Sequence, residues 1–327
     1  MKKRLWILWL LLIGLIVLSC CIGRYELSVS EIGKILLGKN SNEMDRVLFY
    51  QVRLSRTFFC VLAGGALSLA GMVYQSIFRN PLVSPDVLGV SSGCSIGAIL
   101  VILSSEVSGF FYHGLPFLFG IGTVFLTITL ARAFYGDRKY MMVLSGIIVG
   151  SLANSVIMVL KYVADPNKQL PAIEYWLMGT FQNAGWGAIL SITPVILVAS
   201  ILLYLLRWKM NVIALEEEEA RSLGVNVTST RLIAIFAATV LVAAVVSKVG
   251  VVSWIGLIAP HIARRISGEQ FSTSYGSSIL TGSILLLLSD ILARTVFTAE
   301  IPISIMTSFL GAVLLGVLLI VTRIIRR

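Results

Sequence analysis

The chain has 327 residues, of which 57% are hydrophobic and only 13% charged, with a formal net charge of +10 and a mean hydropathy of +0.93. A soluble domain carries about 25% charged residues, so water cannot be the main solvent of this chain. The Lys and Arg residues lie in short clusters between apolar runs, without the interleaved aromatic residues of a nucleic-acid-binding surface. A nucleic-acid partner is therefore not expected.

Predominantly apolar segments of membrane-spanning length follow one another along the whole sequence. In chain order they cover about 5–23, 57–78, 87–104, 114–134, 141–163, 187–206, 231–248, 250–266, 277–296 and 301–322. Lipid offers no hydrogen-bond partner to an open strand edge or to irregular backbone, so these segments are predicted to be helices. Roughly 20 apolar residues and a short loop for each span account for the length of the chain. We predict one all-α membrane domain, residues 1–327, with about ten transmembrane helices.

The first segment follows a basic stretch at 2–4 and ends near Cys20. Residues 17–20 also fit the end of a lipoprotein signal peptide, which would make Cys20 a lipidated N-terminus. The further apolar segments favour an uncleaved span. All four cysteines lie within apolar runs and none forms a C-x-x-C pair, so neither a disulfide framework nor a metal site is predicted.

The loop after the first segment contains a near match to the phosphate-binding pattern G-x-x-x-x-G-K-[ST], from Gly33 to Asn40. Gly33, Gly38 and Lys39 fit the pattern, but Asn40 stands where Ser or Thr is required. No predicted strand precedes the loop. We therefore predict no ATP site and no other cofactor in this chain.

Small residues recur at helix spacing in the third and fifth segments. They are Gly89, Gly93 and Gly97 in one, and Gly146 and Gly150 in the other. Such spacing lets helix backbones approach closely. We expect ordinary packing within the bundle here rather than a dedicated dimer motif.

The most informative stretch between spans is 207–231, which predicts a short amphipathic helix outside the membrane over about 212–224. Asn211 can cap its start through the side-chain oxygen. Gly224 can end it in a left-handed conformation. A rigid, charged helix between two spans suits a membrane domain that receives force from a cytosolic motor, but a merely solvated loop helix has the same pattern.

Charges in this predicted helix are arranged as a stable helix requires. Four consecutive glutamates lie in its first half, where the helix dipole favours acidic groups. Glu217 and Arg221 stand at i, i+4 and can pair. These residues form a compact charged segment that ends at Gly224.

The apolar stretch 231–266 requires a reversal of direction. As one helix its length would be about 54 Å at 1.5 Å per residue, well beyond the roughly 30 Å hydrocarbon core. Lys248-Val249-Gly250 is the natural place for the turn.

The chain shows no arrangement typical of an enzyme. The two histidines, His113 and His261, lie far apart in sequence, and no HExxH or GxSxG motif is present. The charges Lys161, Lys248 and Asp290 fall near predicted helix ends rather than at mid-depth. An ion-coupled secondary transporter, the alternative class, would need an ionisable or broken-helix ion site inside the membrane.

Orientation follows from the distribution of Lys and Arg, which favour the cytoplasmic side in short loops. With the N-terminus inside, most of the 26 basic residues lie in cytoplasmic loops or in the two basic termini, which include Arg326 and Arg327. An even number of spans returns the C-terminus to the same side. We therefore predict an N-in, C-in topology.

Several motifs in fixed order resemble those of the FecCD/BtuC-type permeases, the membrane subunits of iron-siderophore, haem and vitamin B12 importers. The N-terminal signature is matched by Arg53-Leu-Ser-Arg56-Thr, Leu62-Ala-Gly-Gly-Ala-Leu-Ser-Leu-Ala-Gly71 and the stretch from Gln75 to Gly93 that contains Asn80-Pro81-Leu82. Later matches are Trp176-Leu-Met-Gly-Thr180, Glu219-Ala-Arg-Ser-Leu-Gly224, Trp254-Ile-Gly-Leu-Ile-Ala-Pro260-His261-Ile-Ala-Arg264, Asp290-Ile-Leu-Ala-Arg294 and Glu300-Ile-Pro302. Ser55 departs from the proline usual in that family.

This resemblance implies a type II ABC importer-like bundle in a bacterial cytoplasmic (inner) membrane. It further implies a second copy or paralogue of the permease around a central pathway, two cytosolic ATPase subunits and an extracytoplasmic substrate-binding protein. The helix ending at Gly224 would then couple the ATPases to the spans. The coupling residues implied by the resemblance are Glu216, Glu217, Glu218, Glu219, Ala220, Arg221 and Gly224. The ligand is not specified by the sequence.

The same resemblance implies that Arg53, Arg56 and Arg294 receive glutamates of the binding protein. The alternative is that Arg294 only pairs with Asp290, four residues earlier on one helix face, and that Arg53 and Arg56 anchor a helix in the lipid headgroups.

Overall fold

The computed structural model describes residues 2–23, 25, 27–39, 42–104, 110–182, 184–296 and 299–325, and over these ranges the chain is helical without any strand. Asn40 of the near-match loop and Arg326 and Arg327 of the C-terminus lie outside the described residues. The helices are α1 Lys2–Cys21, α2 Val29–Leu36, α3 Glu43–Val47, α4 Ser55–Phe78, α5 Val90–Leu103, α6 Phe110–Ala133, α7 Arg138–Val163, α8 Gln169–Met178, α9 Trp186–Leu205, α10 Arg207–Val212, α11 Glu217–Ser222, α12 Val227–Val249, α13 Ile255–Ser267, α14 Phe271–Thr295 and α15 Ile303–Ile325. A π-helical turn, Leu48–Leu54, joins α3 to α4, and a 3-10 turn, Pro85–Leu88, precedes α5.

Within the described part of the chain, seven helices are long and apolar enough to cross a membrane: α1, the continuous α3–α4 rod, α6, α7, α9, α12 and α14. Shorter apolar helices cover 90–103 and 303–318, and α13 has 13 residues. Each predicted span contains a helix, and the all-helical, multi-pass architecture is confirmed. The number of ten crossings and the N-in, C-in orientation stay predictions.

The central helices of the bundle are α4, α12 and α14. The apolar stretch of each is 72–83% buried inside the chain, against 22–28% for α1, α6, α7 and α9. The second group therefore presents its apolar side chains to lipid or to other chains.

The predicted reversal within 231–266 is present. Gly250 ends α12 with φ +77, a conformation that glycine adopts without steric cost. Residues 250–254 are not helical, yet carbonyl groups at the end of α12 and within this segment find partners. Thr180 N donates to Val249 O at 2.8 Å, and Ser304 Oγ donates to Val251 O at 2.6 Å. Irregular backbone at this depth is tolerated because the protein satisfies its hydrogen bonds.

Glycines set the closest helix contacts. A Cβ on Gly71 of α4 would overlap the carbonyl group of Gly256 at the start of α13. Gly93 and Gly97 of α5 likewise lie against the α6 backbone, so the predicted packing of the α5 glycines within the bundle is confirmed. In contrast, a Cβ on Gly150 would have no neighbour within 4 Å among the described residues of this chain.

The bundle has two ends, which we name by the short helices they carry. At the α11 end, the N-terminus of α1 meets the C-terminus of α13, where Arg4 Nη1 donates to Ile266 O at 3.2 Å. At the α2 end, Ser28 and Glu31 form a capping box that starts α2. The hydroxyl and backbone N–H of Ser28 both donate to the Glu31 carboxylate and lower its pKa.

Candidate functional site

A buried cluster of arginines and carboxylates joins α4, α14 and the segment before α15 at the α2 end. Arg56 on α4 donates to Asp290 Oδ1 from Nε at 2.9 Å and from Nη2 at 2.7 Å. Arg56 also pairs with Glu300, and Gln182 Nε2 donates to the second oxygen of Glu300 at 2.9 Å. Asp290 is fully buried, so its negative charge is stabilised by these partners rather than by water.

Two further arginines hold the C-terminus of α1 to this cluster. The last carbonyl groups of a helix have no partner within the helix. Arg53 Nη1 donates to Cys20 O at 2.9 Å and to Cys21 O at 2.8 Å. Arg294 donates to Ile22 O at 3.2 Å, and its Nε lies 3.0 Å from Asp290 Oδ2. The predicted i, i+4 pair of Asp290 and Arg294 is therefore confirmed.

The structure brings the three arginines predicted for partner docking into one site. Arg53, Arg56, Arg294 and Glu300 line a cavity of about 250 Å³. The three guanidinium groups face two carboxylates among the described residues, so the cluster keeps a net positive charge. However, Arg53 is only 3% exposed and Arg56 only 9%. The Nε and Nη2 groups of Arg56 and the two Nη groups of Arg53 already have acceptors within the chain, whereas Arg53 Nε has none among the described residues. All three have structural roles, and those of Arg53 and Arg56 were not predicted from the sequence.

The second predicted site is a short charged helix at the opposite end. α11 covers Glu217–Ser222, and Glu217 Oε1 accepts from Arg221 Nη2 at 2.9 Å, as predicted. Gly224 follows with φ +75, and Val225 N donates back to Ala220 O at 3.2 Å, which closes the helix in the expected left-handed cap.

The predicted helix over 212–224 is shorter than expected because the chain breaks it at 213–216. Asn211 does not cap it. This residue lies inside α10 and binds the start of α14, with Asn211 Nδ2 donating to Ser272 Oγ at 2.8 Å. The actual N-cap position of α11 is Glu216, whose side chain makes no capping hydrogen bond.

The α11 segment is a knob with a fixed base. Ala220 is fully buried, whereas Leu223 is 52% exposed. The exposed charged residues are Glu216, Glu217, Glu218, Glu219 and Arg221. Because buried apolar residues hold the base, the exposed acidic and leucine side chains have a defined position for a partner.

The near match to a phosphate-binding loop has no suitable structure. Gly33 lies within α2, where the backbone N–H groups bond along the helix instead of forming an open cradle. His113 faces Ser247 O at 3.1 Å, and His261 lies on α13. Among the described residues no group of His, Cys, Asp or Glu has the arrangement of a metal site.

The sequence profile of the FecCD transport family matches residues 10–321. This chain belongs to the FecCD transport family. It is a permease subunit of an ABC importer, which places it with ATP-driven systems rather than with the ion-coupled transporters that the sequence left open.

FecCD relatives match nearly the whole chain. The molybdate import system permease protein MolB of Haemophilus influenzae is 40% identical over 323 residues, covering 97% of this chain and 95% of that protein. The Fe(3+)-citrate import system permease protein YfmE of Bacillus subtilis is 35% identical, covering 94% and 91%. A solved structure described as an inward-facing conformation of a metal-chelate type ABC transporter has a TM-score of 0.89 and 36% identity, covering 98% of this chain and 99% of that chain.

This FecCD permease also has polar residues on an exposed helix face that the sequence analysis missed. On α7, Ser151, Asn154 and Ser155 are all exposed. Positions three and four apart lie on one face of a helix, so they form a stripe. An amide side chain facing lipid has no hydrogen-bond partner, which argues that this face does not contact lipid. Their spacing of i, i+3 and i+4 within an apolar span is visible in the sequence and could have indicated this polar face.

A carboxylate in the turn before α5 was missed as well. Asp86 lies in the 3-10 turn and accepts a hydrogen bond from Ser91. The turn packs against α7, since a Cβ on Gly146 would overlap the carbonyl group of Val87. Arg138 begins α7, and Gly146 lies roughly 12 Å further along this helix at 1.5 Å per residue. The turn therefore contacts α7 well inside the bundle rather than at its end.

Proposed function

We propose that this permease imports a metal-containing ligand, either a metal oxyanion or a metal chelate, using ATP hydrolysed by separate cytosolic subunits that dock on α11. The observation that carries the proposal is the exposed α11 knob at one end of the bundle, in a chain that matches the FecCD family along nearly its whole length. The chain would be oriented with the α11 end in the cytoplasm.

The α11 knob supports this proposal by its chemistry. Glu218 and Glu219 project beside the exposed Leu223, so the surface offers both acidic groups and an apolar contact. The cap at Gly224 ends α11, and α12, one of the central helices, begins only a few residues later at Val227. Movement of a bound ATPase would therefore reach α12 directly, provided that its contacts differ between two states.

The α7 stripe supports a pathway shared with a second permease copy or paralogue. Ser151, Asn154 and Ser155 would line that pathway. The Ser155 hydroxyl donates to Ser151 O within the helix, whereas the exposed amide of Asn154 needs water, ligand or protein as its partner. Gly150, open on the same helix, would leave room for a neighbouring backbone or a bulky ligand.

The identity of the ligand is proposed only as a class. The relatives carry names for molybdate, Fe(3+)-citrate, hemin and cobalamin import, and every one of these ligands contains a metal. The iron-siderophore, haem and vitamin B12 ligands expected from the sequence also contain a metal. The name of MolB extends the class to a metal oxyanion, molybdate.

The test is co-purification of the full-length chain with its ATPase subunit. We expect Glu218→Lys to weaken retention of the ATPase and to reduce ligand uptake into vesicles. Glu43→Lys, an exposed carboxylate at the α2 end, is the matched control and should leave both unchanged. Equal retention of the ATPase by the two variants would contradict docking on α11.

A further inference from the structure

A cleft at the α11 end contains a buried arginine with an unsatisfied N–H group. Arg231, in the first turns of α12, is only 3% exposed, and no described residue accepts a hydrogen bond from its Nε. Burying a charged N–H group without an acceptor destabilises the protein. An anion bound beside Arg231 would supply that acceptor.

The guanidinium group of Arg231 lies at a cleft that is already cationic. The cleft has a volume of about 260 Å³ and is lined by Arg132 from the end of α6, by Arg138 from the start of α7 and by Arg231. Tyr135, which is fully exposed, stands at its rim. The space suits a phosphate-sized anion with hydrogen-bonding oxygens.

The nearby carboxylates are engaged elsewhere. Asp137 and Glu217 are close enough to act on Arg231 electrostatically, but neither forms an ion pair with it. Asp137 caps α7 by accepting from Lys139 N at 2.9 Å, and Glu217 pairs with Arg221. The chain therefore leaves the positive charge of the cleft only partly compensated.

One wall of the cleft continues into an apolar stripe along α6. Leu118, Phe125 and Arg132 are seven residues apart and so lie on nearly the same helix face. Leu118 is 60% exposed and Phe125 71% exposed. The stripe extends roughly 20 Å from Leu118 to Arg132, which is enough to lie beside an acyl chain.

We propose that this cleft binds the headgroup of an anionic phospholipid, whose acyl chain lies along the Leu118–Phe125 stripe of α6. Basic pockets between helices at the membrane surface recognise anionic headgroups through charge. The apolar stripe distinguishes a lipid from a free oxyanion, which would use only the arginines. The occupied cleft would tie together α6, α7 and α12, whose ends meet there.

The proposal is tested on the purified full-length chain in a neutral detergent. Native mass spectrometry would compare dioleoyl-phosphatidylglycerol with dioleoyl-phosphatidylcholine at equal concentrations. We expect one phosphatidylglycerol to be retained at least about tenfold more tightly than phosphatidylcholine. Equal retention of the two lipids would overturn the proposal.

Variants locate the bound lipid. Arg132→Gln combined with Arg138→Gln changes exposed residues only and should weaken phosphatidylglycerol binding about tenfold, without affecting phosphatidylcholine. Lys209→Gln combined with Arg265→Gln removes two exposed cations elsewhere at the same end and is the matched control. If the two double variants lose phosphatidylglycerol equally, the cleft is not the site.

A final arm separates the lipid from free oxyanions. Inorganic phosphate in excess over the lipid should not displace phosphatidylglycerol, because it gains nothing from the α6 stripe. Full displacement by phosphate would overturn the assignment to a lipid. Phe125→Ser should weaken phosphatidylglycerol retention while leaving the arginines intact, and an unchanged retention would contradict the acyl-chain contact.

Discussion

Arg56 and Asp290 are 234 residues apart in sequence and meet in a buried ion pair, with 2.7 Å between Arg56 Nη2 and Asp290 Oδ1. The pair joins α4 to α14, two of the three central helices, at the α2 end. Arg294 approaches the other Asp290 oxygen, so this one carboxylate contacts two guanidinium groups, of which only Arg56 has a second carboxylate partner among the described residues, Glu300. Loss of the Asp290 carboxylate should therefore lower the free energy of unfolding more than loss of one surface ion pair would.

We predict that Asp290→Asn lowers the free energy of unfolding by about 3–5 kcal/mol, because it leaves buried arginine charge without compensation. Thermal unfolding of the purified chain in detergent measures the effect. Glu43→Gln, an exposed carboxylate on the same end, should change stability by less than about 0.5 kcal/mol. Similar melting temperatures for the two variants would show that Asp290 does not stabilise the bundle.

We predict that Gly71→Ala prevents normal folding. The added Cβ would overlap the Gly256 carbonyl group, and backbone on both sides of the contact cannot move without separating α4 from α13. Gly122→Ala is the control, since Gly122 lies within α6 with nothing within 4 Å of a Cβ. That control should be neutral or stabilising by roughly 0.5–1 kcal/mol, because alanine favours helix. Folded yield on size-exclusion chromatography separates the two expectations.

The sequence predicted the helical segments because lipid restricts a spanning backbone to few forms. It also predicted the turn at Gly250, the pair Glu217–Arg221 and the left-handed Gly224, which depend on neighbours within a few residues. Each of these features is decided by local spacing. Local rules were therefore sufficient for them.

The features that were missed depend on contacts distant in sequence. Asn211 satisfies the rule for a helix cap, but Ser272 offers its side chain better hydrogen bonds. Arg53 looked like a surface cation, because nothing near it in sequence indicates that it binds the end of α1. Contacts between residues so far apart in sequence can be predicted only once the packing of the helices is known.

We predict that the purified chain alone binds no ATP. The near-match loop lacks the closing hydroxyl residue, and Gly33 lies inside α2. Equilibrium binding of a fluorescent ATP analogue, with the chain alone and with its ATPase subunit added, measures this directly. Binding by the chain alone that unlabelled ATP displaces would contradict the prediction.

The last prediction concerns docking of an extracytoplasmic binding protein on the arginine cluster of the α2 end. The cluster holds three guanidinium groups against Asp290 and Glu300, and a cavity opens beside Arg53. A glutamate of the partner would compete with Glu300 for the arginines. Removal of the Glu300 charge should therefore strengthen docking, whereas removal of the Arg53 charge should weaken it.

We expect Glu300→Gln to tighten association with the binding protein about fivefold at low ionic strength and Arg53→Gln to weaken it by a similar factor. Both changes should shrink at high salt, because salt screens the attraction between the positive cluster and an approaching acidic partner. Surface-immobilised binding at two salt concentrations provides the measurement, and melting temperatures verify that each variant is folded. Glu269→Gln, an exposed carboxylate at the α11 end, is the control. If folded Glu300→Gln and Arg53→Gln both associate like the control at low salt, the arginines only hold α1, α4 and α14 together, and the binding protein docks elsewhere.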